Sequence, residues 1–500
     1  MSVSYIGSMS STMLQSILDM RSKLDDLQRQ LGSGEKSTTY AGLGINTGVS
    51  LVMRSQLSAL QSYDSTIANV GVRLSVAQQA LTGADNLAHT IKTAAVQTDF
   101  TINQSGKTGE QTAASNALDQ MLGLLNTQAG NRYLFSGSAV DQPSVVSSSV
   151  LMNGDATHAG FLQILDQRKQ ADLGADGLGR LDITRAGASV TVAEDAVSPF
   201  GLKISAVNST LSGATVTGPG GPPASLNVDF TGTPTAGQQV AVDFTLPDGT
   251  EQTLTLTATT ASPPGDNQFT IGATPTDTAT SFEAALNTSI AKIGATTLTA
   301  ASAMAAADNF FDTDSTHPPQ RVDGPPYDSA TGLVDGTSAN TVQWYTGEDG
   351  PNSARTSVSA QIDPSMSVNY GMRANEEGLR NAVKNIAVFA AVSFTANDPN
   401  ANDAYTALGS RVGAALDGPA NQQKITDISA EIAGAQQAFD AAKTRHSQTS
   451  NMLTDLLQQV EGVSQDDVGA QILSLQTSLQ ASLQTTALLS KMSLVNYLSS

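Results

Sequence analysis

The sequence contains no cysteine, few aromatic residues and little charge. The absence of cysteine from its 500 residues excludes disulfides, thiolate metal sites and cysteine nucleophiles. Aromatic residues make up 5% of the chain and include one tryptophan, so the large rings that dominate compact cores and ligand pockets are scarce. Charged residues account for 14%, against about 25% in typical soluble domains. This composition suits long helices rich in alanine and leucine better than an enzyme with a large binding cleft.

Basic residues are too few to balance the acidic ones. The 25 Lys and Arg residues and 45 Asp and Glu residues give a formal net charge of −20. Because phosphates must be met by basic side chains, this charge disfavours nucleic acid or an anionic membrane as a partner. Residues 1–11 have no apolar stretch and no cleavage pattern, so we expect no cleaved secretory signal. The longest apolar run, at residues 386–394, is too short to span a bilayer.

What the sequence does contain is a spacing of three and four between apolar residues at both of its ends. This spacing is typical of a coiled-coil-like helix. The N-terminal seam consists of Met13, Ile17, Met20, Leu24, Leu27 and Leu31. The C-terminal seam consists of Ile472, Leu475, Leu479, Leu483, Leu494 and Leu498. Since an amphipathic helix cannot bury its apolar stripe alone, the terminal helices are predicted to pack on each other, on neighbouring helices or on another subunit.

Two longer helices are predicted next to the terminal ones, at residues 49–99 and 425–463. In the second helix, only His446 and Thr449 interrupt the series of apolar positions. A polar residue at such a position can set the register of packed helices, and this is our interpretation of His446.

The middle of the chain is rich in Thr, Val, Gly and Pro and predicts strands. Apolar residues alternate with polar ones at 240–246 and 254–256, on either side of a Pro-Asp-Gly turn, which indicates a hairpin. Helical spacing returns at residues 282–293. A later helix, with Asn375 as its cap, is predicted to follow three strand-like runs at residues 341–345, 354–362 and 367–370.

We therefore predict an α+β fold, with long coiled-coil-like helices from both termini packed together and a β-rich outer domain inserted in the middle. The predicted parts are an N-terminal assembly helix, the N-terminal half of a helical stem, the β-rich outer insertion, a β-hairpin and helix of the stem, and a C-terminal stem and assembly helix. They cover residues 1–45, 46–140, 141–340, 341–420 and 421–500, respectively.

Motifs for catalysis or ligand binding are weak. Residues 105–108 (SGKT) resemble the end of a phosphate-binding loop, but Thr101 stands where that loop needs glycine, so a turn between helices is the better interpretation. The four histidines do not pair at the spacing of metal ligands. Acidic residues cluster in residues 307–330 without the spacing of a standard calcium loop. We predict no catalytic, cofactor-binding or metal-binding residues, and no enzymatic activity.

Three short segments resemble the bacterial flagellin family and, within it, the hook-associated protein of the hook–filament junction. Residues 31–36 (LGSGEK) resemble the turn after the first helix of the family. Residues 489–498 resemble the C-terminus of the junction protein, and residues 37–45 lack the Asp-Asp pair typical of flagellins. The segment most similar to the junction protein is residues 130–138 (GNRYLFSGS), with Gly130, Tyr133, Leu134, Phe135 and Gly137.

This resemblance implies a structural subunit that self-assembles through its terminal helices at the hook–filament junction. Its implied partners are copies of itself, flagellin, other hook-associated proteins and an export chaperone, with no nucleic acid and no membrane. It implies an extracellular location in the flagellum, reached through the flagellar type III apparatus, and terminal helices that fold on assembly.

Four alternatives remain open on the sequence. The chain could be a bulk flagellin that forms the filament itself. It could be a helical bundle within a monomer, or a secreted calcium-binding or adhesin-type surface protein. An enzyme with an unusual carboxylate pair would be recognised by a cleft containing carboxyl groups of raised pKa.

Overall fold

The computed structural model describes residues 3–312, 317–419 and 421–498. The chain forms two compact units, and two of its long helices contribute to both. The first unit consists of the described residues of 1–69, 361–367 and 437–500, and the second of those of 70–360 and 368–436.

Helices dominate both ends of the chain. In chain order they are α1 (Val3–Ser33), α2 (Thr47–Ala95), α3 (Gly109–Leu125), α4 (Ser148–Asn153), α5 (Phe161–Leu173), α6 (Pro275–Ile293), α7 (Thr299–Phe311), α8 (Glu377–Ala391), α9 (Ala401–Asp417), α10 (Ile425–Glu461) and α11 (Gln465–Leu498). Short 3-10 turns cover Tyr40–Asn46 and Ala354–Ser357, and a π-helical turn, Gly294–Leu298, joins α6 to α7. Several helices begin at residues that satisfy their first free N–H groups. Thr108 forms a reciprocal capping box with Gln111 at the start of α3, and Thr274 forms one with Asp277 at the start of α6.

Strands lie between the helical ends. They are β1 (Leu181–Ala186), β2 (Ser189–Glu194), β3 (Lys203–Ser209), β4 (Ala214–Gly220), β5 (Ser225–Phe230), β6 (Gln239–Thr245), β7 (Glu251–Thr259), β8 (Gln268–Thr270), β9 (Gln320–Val322), β10 (Leu333–Asp335), β11 (Ser359–Asp363) and β12 (Met366–Asn369). Together with the terminal helices, these strands confirm the predicted α+β fold class.

Two four-stranded sheets form the β-rich region of the second unit. Their strand orders are β1-β2-β5-β4 and β3-β6-β7-β8. The predicted hairpin is confirmed, because Val240 pairs with Leu256 and Val242 with Leu254 in antiparallel register. Buried residues of both sheets and α6 form one hydrophobic core. Within that core, the ring of Phe282 from α6 packs edge-on against Phe269, with ring centroids 5.1 Å apart.

The helices of the second unit pack in pairs beside this region. α3 contacts α8, α8 contacts α9, and α5 contacts α7. Trp344 is buried, and its indole N–H donates to the carbonyl oxygen of Phe311 at 3.1 Å. The stretch Pro275–Phe311 is long and apolar enough to cross a membrane, but 72% of its most apolar window is buried inside the protein. It is therefore better explained as the core of this unit.

Three local predictions were wrong. Residues 341–345 do not form a strand, because Thr341 and Tyr345 make only isolated bridges, to Ala159 and Val145. Ala354–Ser357 is a 3-10 turn, so the strand there begins only at Ser359. Asn375 does not cap α8. Its amide donates to Asp349 instead, and Glu376 occupies the cap position.

Candidate functional site

The terminal helices α1 and α11 pack against each other within the first unit. Leu27 of the N-terminal seam is buried, with 7% of its surface exposed, and Val468 near the start of α11 is 3% exposed. The other seam residues are more open. Met13, Ile17, Met20, Leu24, Ile472, Leu475 and Leu479 are half-buried, and Leu31 and Leu483 are 38% and 42% exposed. The side chains of Leu494 and Leu498 lie outside the described ones. The structure thus places most seam residues on the less exposed faces of two paired helices.

Further apolar side chains of the helix pair point away from these faces. Leu14 and Leu18 of α1 are 59% and 54% exposed, and Leu473 and Leu488 of α11 are 67% and 63% exposed. These four residues lie outside the seams predicted from the sequence. The sequence did contain an indication of them, because Leu14 and Leu18 follow Met13 and Ile17 directly and repeat their spacing of four. A helix pair with leucines on its outer surface has apolar area left to bury against a partner.

The helix pair carries almost no net charge. α1 contains three acidic and three basic residues, and α11 contains two acidic residues and one basic residue. Residues 141–340, by contrast, contain 21 acidic and seven basic residues, a net charge of −14. The repulsion between copies of this chain therefore originates mainly in the inserted region, and the terminal helices can approach other copies at low electrostatic cost.

The turns that follow α1 and α10 are hydrogen-bonded to each other. The Lys36 backbone N–H donates to the Glu461 carbonyl oxygen at 2.7 Å, and the Val463 N–H donates to the Gly34 carbonyl oxygen at 3.0 Å. Gly34 has a φ of 73°, in the left-handed region where glycine is favoured. The Lys36 ammonium also donates to the Val460 carbonyl oxygen at 2.8 Å. It thereby satisfies a carbonyl at the C-terminal end of α10, where positive charge is stabilising.

Ionised side chains reinforce this connection. The Arg54 guanidinium donates to both carboxylate oxygens of Glu461, at 2.9 and 2.6 Å, and the Ser50 hydroxyl donates to the same carboxylate. These bonds, that of Arg54 first, lower the pKa of Glu461 although burial opposes the shift. We call Gly34, Lys36, Arg54, Glu461 and Val463 the turn latch. Sequence reasoning identified the turn at residues 31–36 but missed its partners, because Arg54 and Glu461 are 407 residues apart.

Replacing Glu461 by Gln is expected to weaken the turn latch. The amide keeps the shape of the side chain but loses the ionic bonds to Arg54, at a cost of about 1–3 kcal/mol. The expected result is faster amide hydrogen exchange at Lys36 and Val463, measured by NMR or mass spectrometry. Asp455→Asn is the matched control, because it removes the same charge from an exposed position of α10. Unchanged exchange in Glu461→Gln would show that the backbone bonds alone hold the two turns.

The segment that resembles the junction protein is packed inside the second unit. Leu134 and Phe135 are buried, and Tyr133 is half-buried. Gly130 and Gly137 have φ values of 67° and 63° and form turns on either side of them. The Gly137 N–H donates to the Met372 carbonyl oxygen at 2.9 Å, and the Phe135 carbonyl accepts from the Ala374 N–H at 2.8 Å. The motif therefore supports the fold at this position, where residues 135–137 meet residues 372–374.

The phosphate-loop-like residues serve a structural role. Thr108 caps α3, and the Lys107 ammonium donates to the Ala390 carbonyl oxygen at 2.6 Å. Burial lowers the pKa of Lys107. A lysine bonded to the backbone in this way is not presented to a phosphate.

Two acidic residues of the 307–330 segment, Asp308 and Asp312, bind basic side chains. Asp308 and Asp312 line a cavity of about 440 Å³, and burial raises the pKa of Asp308. The Lys384 ammonium lies 2.7 Å from Asp308 and 3.1 Å from Asp312, and Arg380 pairs with Asp312 at 3.2 Å. Asp314 lies outside the described residues. Within the part of the chain that is described, no group of His, Asp and Glu residues is arranged to hold a metal ion. The two carboxylates form an ion-pair network and not an isolated acid–base pair.

Two other carboxyl groups of raised pKa are held in ion pairs with arginines, which oppose the effect of burial. Burial raises the pKa of Asp172 and of Glu376, and each faces an arginine. Asp172 accepts from Arg168 at 2.8 Å, and Glu376 accepts from Arg355. Such pairs are common structural elements, so these groups do not indicate a catalytic cleft.

The fold and the paired ends define an architecture with helical termini and an inserted β-rich region. Residues 6–140 match the family model of the bacterial flagellin N-terminal helical region. This match covers 135 of the 500 residues and makes the N-terminal region similar to that of bacterial flagellins, a family of structural proteins that assemble into flagellar polymers. No curated protein matches the chain in sequence.

Proposed function

We propose that this chain is a structural subunit of the bacterial flagellum that self-assembles through its terminal helices at the hook–filament junction. The observation that carries the proposal is the paired α1 and α11, which expose leucines on a nearly neutral surface. The flagellin-type N-terminal region supports the flagellar part of the proposal.

The distribution of charge supports an orientation for the subunit. Nearly neutral helices pack closely at low cost, whereas a region with a net charge of −14 repels its copies unless it is solvated or screened by salt. We therefore propose that the terminal helices lie inside the assembly and that residues 141–340 face outward. Head-to-tail contacts that do not close on themselves would produce a helical array. Burial of the exposed leucines of α1 and α11 between subunits would then offset the entropy lost when the ends become ordered.

The choice of the junction rests on the segments at residues 130–138 and 489–498. Assembly as a bulk filament flagellin is the second candidate, and the match to the flagellin N-terminal region is compatible with both roles. The partners we propose are copies of the chain, flagellin, other hook-associated proteins and an export chaperone. We propose export through the flagellar type III apparatus. Neither nucleic acid nor a membrane is part of the proposal.

Electron microscopy of the purified chain, concentrated in raised salt with and without short filament or hook seeds, tests the assignment. We expect soluble subunits that add a short layer to existing ends and do not elongate further. Long filaments of the chain alone would contradict the junction assignment and identify a bulk flagellin. Absence of any association, with or without seeds, would contradict the assembly proposal and favour packing within a monomer.

A further inference from the structure

His446 is a buried histidine whose two ring nitrogens both face carboxylates. Only 3% of its side chain is exposed. Its Nδ1 lies 2.7 Å from Oδ1 of Asp64 on α2, and its Nε2 lies 3.0 Å from Oδ1 of Asp363 at the end of β11. A neutral imidazole has one N–H, so it can donate to only one of the two carboxylates. The imidazolium donates to both, which makes the protonated ring the form that fits this position.

A tyrosine and an arginine also lie around the ring. The ring of Tyr63 on α2 lies next to the imidazole, with centroids 6.1 Å apart. Arg445, beside His446 on α10, donates to Oδ2 of Asp363 at 2.9 Å and helps to keep that carboxylate ionised. Burial alone would lower the pKa of His446, but the hydrogen bonds and charges of Asp64 and Asp363 raise it above its ordinary value. Burial would raise the pKa of Asp363, but the bonds from His446 and Arg445 lower it.

We propose that His446 is a proton-dependent clamp that joins α2, α10 and the β11–β12 hairpin when its ring is protonated, and that loses one of its two connections when the ring is neutral. All three residues of the clamp belong to the first unit. We expect loss of one connection to affect the hairpin more than the two helices, because Met366 and its neighbours near the turn are largely solvent-exposed. The sequence showed His446 as a polar residue in an apolar series, but Asp64 lies 382 residues away and Asp363 83 residues away.

The direction of the pH dependence follows from the two shifts. A histidine whose pKa is raised on folding stabilises the folded state fully below its unfolded pKa of about 6.5, and this contribution is lost as the pH rises through the folded pKa. The lowered pKa of Asp363 acts in the opposite range: its contribution is present above about pH 3.9 and is lost as the pH falls through the folded value. The clamp is therefore strongest in mildly acidic solution and opens on alkaline titration.

Long-range ¹H–¹⁵N NMR of the histidine rings in the full chain tests the clamp directly. Asp363→Asn removes one carboxylate while keeping the side chain's shape. We expect His446 to keep both ring protons above pH 6.5, the ordinary histidine pKa, and its titration to shift downward in Asp363→Asn. If His446 loses its second ring proton at or below about pH 6.5, or if Asp363→Asn leaves its titration unchanged, the proposal is overturned.

Hydrogen exchange of the β11–β12 amides, corrected for the intrinsic effect of pH, tests the structural consequence. We expect protection in the wild-type chain to fall through the titration of His446. In His446→Gln, protection should no longer vary over that range, whereas the control His89→Gln should behave like the wild type. The same pH course in His446→Gln as in the wild type would overturn the proposal. These measurements use the free chain, so their outcome does not depend on whether the chain assembles.

Discussion

Replacing Leu27 by Asp is expected to abolish incorporation of the chain into flagellar structures while leaving the β-rich region folded. Leu27 is buried on α1, which contacts α11. An aspartate at this position would have to bury an unpaired carboxylate or separate the helices, and either change costs several kcal/mol. Because this residue belongs to the first unit, the sheets of the second unit should keep their thermal transition. Incorporation can be measured by co-sedimentation with filament or hook seeds, and folding by circular dichroism.

Gln28→Asp is the matched control for this experiment. Gln28 is exposed, so the new charge remains in water and incorporation should be close to that of the wild type. Leu14→Asp adds information about the outer surface of the helix pair. Leu14 is already 59% exposed, so its replacement should spare the folded chain and reduce incorporation only if this surface contacts other subunits. Normal incorporation of Leu27→Asp would show that the paired seams have no part in assembly.

Replacing Phe282 by Ala is expected to destabilise the β-rich region by about 3–5 kcal/mol. Phe282 is 1% exposed and packs on Phe230 and Phe269, with centroid distances of 5.5 and 5.1 Å. Its removal leaves a cavity where α6 meets the core of both sheets. Urea unfolding followed by a probe in the sheets would measure the loss. Incorporation with seeds should be retained under conditions in which the region remains folded.

Thr280→Ala tests whether this effect is specific to the core. Thr280 is exposed on the same helix, and its hydroxyl bonds only to the Thr276 carbonyl oxygen one turn earlier. We expect a change within about 0.5 kcal/mol, as for most surface substitutions. If Phe282→Ala were as mild as Thr280→Ala, α6 would not be part of a shared core.

The sequence predicted the elements that are determined by residues close to one another in the chain. Apolar spacing of three and four is a property of neighbouring turns, so it was sufficient to place the terminal helices and the long helices beside them. The hairpin of β6 and β7 was predictable for a similar reason, because its alternating strands flank a Pro-Asp-Gly turn. In both cases the residues that determine the structure lie within a short stretch of chain.

Contacts between distant segments were not predictable in this way. The turn latch joins Arg54 to Glu461, and the clamp joins His446 to Asp64, with hundreds of intervening residues in each case. One sequence gives no indication of which Asp, Glu or Arg will be brought together by folding. The burial of the 130–138 segment against residues 372–374 belongs to the same category.

The local errors have a different cause. Asn375 is a residue type that commonly caps helices, but its side-chain amide donates to Asp349. Glu376 occupies the cap position instead. Residues 341–345 have a strand-like composition, yet their neighbours are irregular segments, so they form single bridges and not a ladder. Local preference was overridden in both places by tertiary contacts.

The most direct test of assembly through the terminal helices is seeded co-sedimentation of three chains: the full chain, a chain without residues 1–33 and a chain without residues 465–500. Circular dichroism would verify that the β-rich region of each truncated chain is folded. We expect the full chain to sediment with the seeds and both truncated chains to stay in solution, because each has lost one partner of the helix pair. Sedimentation of either truncated chain to the same extent as the full chain would contradict the account.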